Sequence, residues 1–333
     1  MKNAITTTHQ TDPALSQSTQ ATANTCRISV VVCTYNNAPL VEKFLESLAR
    51  QTLPTTAYEV IVIDNNSTDN TKAVVSEIVE RYPNFRYVLE ERQGLSHARN
   101  RGIDESHGDI IAYTDDDAEP SSIWLERILD SFDSSPDIWC AGGRVVGLWE
   151  TSPPEWLSPC FHPALSLKDW GDLPRNLEWP ERVIGVNVAF RREVFQEIGR
   201  FDVNLGRTKK LLLGSEDTEI QQRIHAKGKI VYYDPLAEVR HWVPKERMTR
   251  SYFHDRTHGH FRTEAILDYQ RKGVLPMMSR TLSSMCQLML ISARSPLHAI
   301  GIRSSASHAM RIYGLTGYIK QSIRLLIWGI REE

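Results

Sequence analysis

The stretch Asp109-Ile-Ile-Ala-Tyr-Thr-Asp-Asp-Asp117 joins an apolar run to three consecutive carboxylates. The run Ile110–Tyr113 has the length and composition of a buried β-strand. Three adjacent carboxylates are costly unless a positive charge neutralises them, because each one raises the pKa of its neighbours. A divalent cation such as Mg²⁺ or Mn²⁺, held by one or two carboxylates and by the phosphates of a substrate, supplies that charge. A solvated acidic turn is the alternative interpretation.

Strands and helices alternate at short spacing on the N-terminal side of this stretch. Three apolar runs have strand character and each is followed by a helical segment: 28–33 and 39–50, 59–63 and 69–82, 85–89 and 95–106. This order predicts a parallel sheet of right-handed units that binds its ligand at the carboxyl ends of the strands. The sequence contains neither a Gly-x-Gly-x-x-Gly motif after the first strand nor a Gly-x-x-x-x-Gly-Lys-Ser/Thr phosphate loop, which argues against dinucleotide-binding and P-loop folds.

The charge of the 333-residue chain is nearly balanced, at −2, but it is unevenly distributed. From Lys245 to the end there are 14 Lys and Arg against 6 Asp and Glu, and the remainder carries 25 against 35. Five scattered cysteines without a Cys-x-x-Cys motif indicate neither a zinc site nor a disulfide framework, and favour a reducing compartment. Residues 1–26 are expected to be a disordered leader, and no run is apolar enough for a membrane span.

Four motifs, in this order, resemble those of family 2 glycosyltransferases. They are Val-Val-Cys-Thr-Tyr-Asn-Asn at 31–37, Val-Ile-Val-Ile-Asp-Asn-Asn-Ser-Thr-Asp-Asn-Thr at 60–71, Gly-Leu-Ser-His-Ala-Arg-Asn-Arg-Gly at 94–102, and the three aspartates at 115–117. The resemblance extends from about Arg27 to His241. It implies the GT-A fold, a Rossmann-like α/β arrangement in which helices flank a mostly parallel central sheet, and an inverting enzyme that depends on a nucleotide-sugar.

The resemblance also divides the chain into parts. Residues 27–244 are expected to form the GT-A domain, with the nucleotide-sugar half at 27–148 and the acceptor half at 149–244. Residues 245–333 are then a basic, helical C-terminal extension. Apolar residues recur at helical spacing in 282–293 and 311–331, the latter with basic residues alongside. Such a stripe fits the surface of an anionic membrane, and it equally fits packing against the domain or a second subunit.

The resemblance assigns the donor and the metal to residues that follow strand ends. Expected contacts of the nucleotide-sugar are Thr34, Tyr35, Asn36, Asp64, Arg99, Asp115 and Asp116. Either Arg99 or Arg101 would reach nucleotide or diphosphate oxygens, and the other would face solvent. Asp117 and Asp115, with His241, are expected to hold Mn²⁺ or Mg²⁺, and imidazole suits Mn²⁺. A turn-forming role is the alternative for Asp64 and a structural role the alternative for His241. Arg247, Arg250 and Arg256 follow at spacings suited to gathering phosphates.

The segment Gly214-Ser-Glu-Asp-Thr-Glu-Ile220 opens a predicted helix at the place of the family's catalytic pair. A general base is needed, because an acceptor hydroxyl must lose its proton as it attacks the anomeric carbon. The resemblance assigns this role to Asp217, with Glu216 as the second candidate or as a group that orients the acceptor. Charge pairing with the helix dipole is the alternative interpretation.

The acceptor is expected to meet the segment rich in proline and tryptophan at 149–182 and the stretch that follows it. Candidate contacts are Trp156, Trp179 and Asn187. Tryptophan faces suit the apolar C–H faces of a sugar or an isoprenoid chain, and packing of these rings onto the body of the domain is the alternative.

The sequence therefore predicts an inverting glycosyltransferase that moves a sugar from a nucleotide-diphosphate sugar, most commonly a UDP-sugar, to a glycan or lipid-linked hydroxyl. Two interpretations of other classes are a nucleotidyltransferase that makes nucleotide-sugars and a non-catalytic sugar- or membrane-binding subunit. The glycine-rich phosphate loop of the first is missing, and the complete set of carboxylates argues against the second. We expect a cytoplasmic protein, free or peripheral at the inner face of the cell membrane, without a nucleic-acid partner.

Overall fold

The computed structural model describes residues 26–206, 215–298 and 306–329, with side chains except at 292–298 and 306–308. The leader predicted for residues 1–26 lies outside this part except for Cys26. The last residues of the amphipathic stripe, 330 and 331, also lie outside it, and so does the side chain of Ala293.

The N-terminal half alternates strand and helix as predicted. Its elements are β1 (Ile28–Thr34), α1 (Ala38–Ala49), β2 (Tyr58–Asp64), α2 (Thr71–Arg81), β3 (Phe85–Leu89), α3 (Leu95–Glu105) and β4 (Ile110–Asp115). The strands are rich in Val and Ile because both of their faces are buried. Val30 and Val32 pack with α1 and α2, and Val31 packs with α3 on the other face.

The second half is less regular. Its elements are β5 (Ala118–Pro120), α4 (Trp124–Ser134), β6 (Ile138–Trp149), a 3₁₀ helix (Pro159–Leu165), β7 (Arg175–Leu177), β8 (Val188–Arg191), α5 (Arg192–Glu197), α6 (Glu216–Ala226), β9 (Ile230–Val243), a second 3₁₀ helix (Lys245–Met248), α7 (Arg250–Lys272), α8 (Val274–His298) and α9 (Ala306–Trp328).

The nine strands of the described residues form one sheet in the order β3-β2-β1-β4-β8-β6-β9-β5, with β7 also paired to β9. β1 to β4 run parallel, whereas β8 is antiparallel to both β4 and β6. The fold is thus a mixed α/β sheet flanked by helices, with helices at the C-terminus. In this sheet Thr34 lies opposite Asp64 and Cys33 opposite Asp115, so three strand ends meet at one edge.

A register shift between β6 and β9 separates two parts of the sheet. These parallel strands shift register between Gly143 and Val145, and beyond the shift β9 also pairs with β5. Strand β9 begins with the apolar run Ile230–Tyr233 and continues past Asp234 and Pro235 to Val243. As a result Ala118, the residue after the aspartate triplet, lies opposite His241.

Helix α4 was not predicted, although its apolar residues recur at helical spacing. Trp124, Leu125, Ile128, Leu129 and Phe132 are all buried. The helix covers β6 and β9 and thereby closes the core on that side.

The C-terminal helices pack on one another and on the body of the protein. Helix α9 approaches α7 closely at Gly317, where a Cβ atom would lie 2.6 Å from the backbone oxygen of His258. The Tyr318 hydroxyl donates to Asp268 at 2.7 Å, and the Arg271 guanidinium pairs with Glu219 of α6. None of the helices in the described part is both long and apolar enough to cross a bilayer.

We expect Gly143→Ala to lower the free energy of unfolding by about 1–3 kcal/mol, because overpacking a crowded backbone crossing forces a shift. A Cβ atom at Gly143 would overlap the carbonyl oxygen of Ala237 and approach that of Asp234. Urea denaturation measures the change. Leu236→Ala, at a side chain that is 55% exposed in the same crossing, is the matched control and should change stability by less than about 0.5 kcal/mol. Equal effects of the two substitutions would contradict the packing argument.

Candidate active site

The carboxyl edge of the parallel strands gathers the predicted donor residues. Asp64 is buried, and its two oxygens accept hydrogen bonds from the Ser67 backbone N–H and the Tyr87 hydroxyl, each at 2.8 Å. Burial and this carboxylate together raise the pKa of Tyr87. The Tyr87 hydroxyl therefore stays a donor that fixes the orientation of Asp64, a role that the sequence did not suggest.

The loop after β1 is tied to the loop after β2. Asn36 has a left-handed backbone with φ of 51°, and its side-chain oxygen accepts from the Thr68 N–H at 2.7 Å. Its own N–H donates to the Ser67 hydroxyl at 2.9 Å. Tyr35, beside it, is half-buried. The two loops thus form one wall at the strand edge, as the expected nucleotide contacts require.

The three aspartates point in different directions. The Asp115 side chain, 31% exposed, lines an open cleft, whereas the Asp117 side chain is 14% exposed and faces β9. Asp116 turns inward and accepts a hydrogen bond from the Thr34 hydroxyl at 2.5 Å. Burial and the neighbouring Asp117 charge raise the pKa of Asp116 to about 7. Asp116 therefore supports the triplet from behind, and it does not face the cleft as a donor contact would.

Asp115, Asp117 and His241 form a cluster in which one ligand atom from each residue lies within 4.8 Å of the others. His241 reaches it because β5 and β9 pair: the Trp242 N–H donates to the Asp117 carbonyl at 2.8 Å. His241 Nε2 lies 3.2 Å from Asp117 Oδ1. Two ligands at right angles around an ion with bonds of about 2.1 Å are about 3.0 Å apart, so this spacing suits a small divalent cation.

The hydrogen bonding of the His241 ring leaves Nε2 directed at the same place. Its Nδ1 lies 2.9 Å from the carbonyl oxygen of Leu165, which can only accept, so Nδ1 carries the proton. In the neutral ring Nε2 then presents a lone pair toward the Asp117 carboxylate. Two lone pairs at 3.2 Å repel unless a proton or a metal ion lies between them. A backbone carbonyl that fixes the tautomer in this way is common at metal sites.

Asp117 also pairs with an arginine side chain. The Arg247 guanidinium lies 3.2 Å from Asp117 Oδ2 and is largely buried. Arg250 instead lies over the Trp156 ring, at 5.1 Å, and Arg256 lines the cleft. The suggestion that three arginines gather phosphates therefore fits Arg247 and Arg256 better than Arg250.

Arg99 is buried between Asp115 on one side and Glu216 on the other. Its side chain is 4% exposed and lies 2.8 Å from Glu216 and 4.0 Å from Asp115. It also donates to the Gly185 carbonyl at 3.3 Å. The sequence predicted that Arg99 contacts the donor. Because the side chain is buried in the cleft wall, only its outer edge can reach a ligand. Arg101 is the solvent-facing member of the pair, bonded to Glu105.

Asp217 lies in the first turn of α6 and faces the cleft. Its Oδ2 accepts from the Gly185 N–H at 2.8 Å and its Oδ1 from the Thr218 N–H at 2.9 Å. Each carboxylate oxygen keeps a further lone pair for a substrate. Glu216, in contrast, is 5% exposed and paired with Arg99. The buried Gln221 holds both the N–H and the carbonyl of Val183, which fixes the loop that carries Gly185.

Asp115, Arg99 and Asp217 line one cleft that is open to solvent. Three basic side chains also line it, Arg182 from the loop before β8 and Arg256 and His260 from α7. No sequence motif pointed to Arg182 or His260. The cluster His-Asp-Arg-Thr-His-Gly-His at 254–260 was the signal that could have indicated the contribution of α7.

The three expected acceptor contacts lie elsewhere. Asn187 is fully buried: its oxygen accepts from Trp124 Nε1 at 2.9 Å, and its amide donates to the carbonyls of Arg144 and Ala237. Trp156 packs edge-on against Phe161 and Phe253. These placements do not agree with acceptor contact and give both residues a packing role.

Trp179 is 43% exposed and lies against the His225 ring, near the far end of α6 from Asp217. Eight residues of helix separate those ends by about 12 Å. Trp179 therefore lies well away from the carboxylate expected to act as base.

Comparison with known proteins identifies the family of this chain. The family model described as glycosyl transferase family 2 matches residues 29–199, just over half of the chain. The chain belongs to glycosyltransferase family 2. It is 30% identical over 220 residues to a glucosyl-dolichyl phosphate glucuronosyltransferase of Haloferax volcanii, covering 65% of this chain and 69% of the relative. It is also 30% identical over 250 residues to the succinoglycan biosynthesis protein ExoM of Rhizobium meliloti, covering 72% and 76%. The protein is thus a glycosyltransferase enzyme.

A solved structure shows the same fold. The mannosyltransferase PcManGT of Pyrobaculum calidifontis, solved in complex with GDP-Man and Mn²⁺, aligns with a TM-score of 0.59 at 22% identity over 92% of this chain and 88% of that chain. This similarity supports the GT-A fold of family 2 for this chain.

We expect Asp116→Asn to stabilise the metal-free protein at alkaline pH. Since the folded-state pKa of Asp116, about 7, exceeds the value of about 4 in an unfolded chain, its contribution to stability is fully present below pH 4 and is lost as the pH rises through 7. The side-chain amide of the variant does not ionise, so the variant avoids this loss of stability. Its unfolding temperature in EDTA should therefore exceed that of the wild type by about 2–4 °C at pH 8 and by less at pH 5. Asp109→Asn, at an exposed residue of the same stretch, is the control. A gain that is equal at both pH values would contradict the assignment.

We expect Asn187→Ala to lower the free energy of unfolding by about 1–3 kcal/mol, because it leaves the Trp124 N–H and two carbonyls unpaired in the core. Chemical denaturation measures the loss, and Asn176→Ala, at an exposed position in β7, is the matched control. Unchanged stability together with weaker acceptor binding would restore the acceptor role that the sequence suggested.

Proposed function

We propose that this family 2 enzyme transfers a sugar from a nucleotide-diphosphate sugar to a hydroxyl acceptor with inversion at the anomeric carbon. One observation carries the proposal: Asp115, a member of the Asp115–Asp117–His241 cluster, and Asp217 line the same cleft. A cation-binding cluster for a diphosphate and a carboxylate suited to act as base therefore face one space.

The donor is proposed to lie along the carboxyl edge of β1, β2 and β4. Asp64 and the wall formed by Thr34, Tyr35 and Asn36 would take the nucleoside, because a ribose hydroxyl can donate to a carboxylate. Arg247 would meet the diphosphate beside Asp117, and Asp115 would lie between the ribose and the sugar. UDP-sugars are the first class to test. GDP-sugars follow, because the mannosyltransferase with the same fold was solved with GDP-Man.

Asp117, Asp115 and His241 would hold Mn²⁺ or Mg²⁺, and their two carboxylates and one imidazole suit either ion. A bound divalent ion offsets the negative charge that develops on the departing diphosphate. The protein's own part is to orient the ligands: the Leu165 carbonyl holds the His241 ring, and Arg247 adds positive charge.

Asp217 is the proposed general base and Glu216 is not. The acceptor oxygen forms a bond to the anomeric carbon while the bond from that carbon to the diphosphate oxygen breaks, and Asp217 takes the hydroxyl proton. The electron pair of the broken bond leaves with the nucleoside diphosphate. Arg99 pairs with Glu216, whereas Asp217 accepts hydrogen bonds from two backbone N–H groups and lines the cleft.

The acceptor is proposed to be a glycan or a lipid-linked sugar. Arg182, Arg256 and His260 surround the cleft, and such a basic lining suits an acceptor that carries a phosphate. The name of the Haloferax volcanii relative includes a dolichyl phosphate acceptor, which agrees with this chemistry.

We expect metal-dependent release of nucleoside diphosphate when the purified protein meets a panel of nucleotide-sugars. Release with Mn²⁺ should fall at least about tenfold in EDTA and in Asp117→Ala, because a metal ligand is lost. Asp109→Asn, at an exposed residue of the same stretch, is the control. Chromatography of the products identifies the donor. Release that is equal in EDTA, or pyrophosphate as the product, would overturn the proposal.

The base is tested by transfer to an acceptor, since slow attack by water depends less on it. With a glycan or lipid-linked acceptor we expect Asp217→Asn to lower kcat by about 10²–10⁴-fold while the donor still binds. Glu216→Gln should instead lower stability, because it leaves the buried Arg99 without its partner charge. Equal transfer by wild type and Asp217→Asn would assign the base elsewhere.

A further inference from the structure

The outer side of α8 exposes a row of apolar side chains. Leu275, Met278, Leu282 and Met289 recur at steps of three, four and seven residues, with Cys286 between the last two, so all five point to one side of the helix. We call these five residues the α8 face. Leu275 is 79% exposed, Leu282 61% and Met289 70%, which is unusual for side chains of this size.

The end of α9 adds to this exposed apolar surface. One side of α9 buries Leu315, Tyr318 and Leu325, while Ile323, Leu326, Ile327 and Trp328 are exposed. Of the 16 large apolar side chains that are exposed in the described residues, ten belong to α8 and α9. A concentration of this kind marks a binding surface rather than the ordinary scatter of apolar residues on a soluble protein.

Basic residues predominate along this part of the sequence. From Gly273 through Arg331 there are seven Lys and Arg and no Asp or Glu, and Arg280 among them pairs with Glu264 and Asp268 of α7. Lys320 and Arg311 are exposed on α9. A partner must therefore offer an apolar phase and negative charge together.

Two occupants offer an apolar phase, and the charge distinguishes them. A second copy of this chain in a two-fold dimer would place the same basic surface against itself, which costs energy because like charges oppose. An anionic lipid bilayer offers acyl chains to the apolar side chains and negative headgroups to Lys320 and Arg311. Tryptophan, as at position 328, favours the boundary between these two layers.

We propose that the α8 face and the exposed end of α9 bind the surface of an anionic membrane. The helices lie in the plane of the headgroups and do not cross the bilayer. The binding needs neither a donor nor turnover, so it stands apart from the proposed transfer reaction.

The position of the surface connects it to the cleft. Arg271, at the end of α7, pairs with Glu219, which is two residues after Asp217 on α6. Leu275 follows Arg271 by four residues, at most about 14 Å of chain. The membrane-binding surface therefore begins close to the residue that ties α7 to α6, the helix whose first turn carries Asp217.

The test uses the full chain and vesicles of phosphatidylcholine alone or mixed with phosphatidylglycerol. In flotation we expect binding to the mixed vesicles that is at least about tenfold stronger than to phosphatidylcholine and that weakens at high salt. The triple variant L275Q/L282Q/M289Q should lose at least about tenfold of this binding. The triple variant L173Q/V203Q/L236Q, at exposed apolar side chains elsewhere, is the matched control and should bind like wild type.

Cys286 and Cys160 provide a second measurement, because both are exposed and only Cys286 belongs to the α8 face. An environment-sensitive dye on Cys286 in a Cys160→Ser variant should shift to shorter wavelength with mixed vesicles. The same dye on Cys160 in a Cys286→Ser variant should not.

Three results would overturn the proposal. One is equal flotation of the L275Q/L282Q/M289Q variant and wild type. Another is an unshifted dye on Cys286 in the presence of the mixed vesicles. The third is a wild-type dimer in sedimentation that this variant dissociates while wild type binds no vesicles, which would assign the surface to a second copy of the chain.

Discussion

The arrangement of the active site depends on the buried guanidinium of Arg99. A buried charge is costly unless it is paired and hydrogen-bonded, and Arg99 meets this condition with Glu216, Asp115 and the Gly185 carbonyl. Arg99 comes from α3, whereas Glu216 and Gly185 come from the second half of the chain. One cation therefore connects α3 to the loop with Gly185 and to the start of α6, and its pairing with Glu216 distinguishes that carboxylate from Asp217.

The Asp115–Asp117–His241 cluster depends on backbone pairing in the same way. Asp117 and His241 are 124 positions apart in the sequence, and the antiparallel pairing of β5 with β9 brings their backbones together. Beyond the register shift at Gly143, β9 pairs with β5, the strand that follows the aspartates. Since sheet hydrogen bonds fix the position of both backbones, the 3.2 Å distance between the two ligand atoms follows from the fold and needs no ion to set it.

The sequence predicted the regular elements and the chemical groups better than the orientation of side chains. Strands β1 to β4 follow from apolar runs, and Asp64 and Asp115 follow from strand ends, because those signals are local. The direction of Asn187 depends on Trp124 and Ala237, which belong to distant elements. Asn187 was expected to contact the acceptor because it is a polar residue beside a motif. The sequence looks the same whether such an amide faces a substrate or donates hydrogen bonds to carbonyls in the core. Trp156 presents the same ambiguity, and only its neighbours Phe161 and Phe253 resolve it.

Helix α7 connects the other C-terminal helices to the cleft. It lines the cleft with Arg256 and His260, its end is tied to α6 through Arg271, and α9 packs closely against it at Gly317. These residues lie beyond the region 29–199 that the family model matches. Within one fold, the part that binds the donor can stay the same while added elements determine which acceptor binds. Specificity resides in the groups that line the site and not in the fold. The residues that decide the acceptor are therefore to be sought in α7, beyond the region that the family model matches, and in the loop with Arg182, near the end of that region.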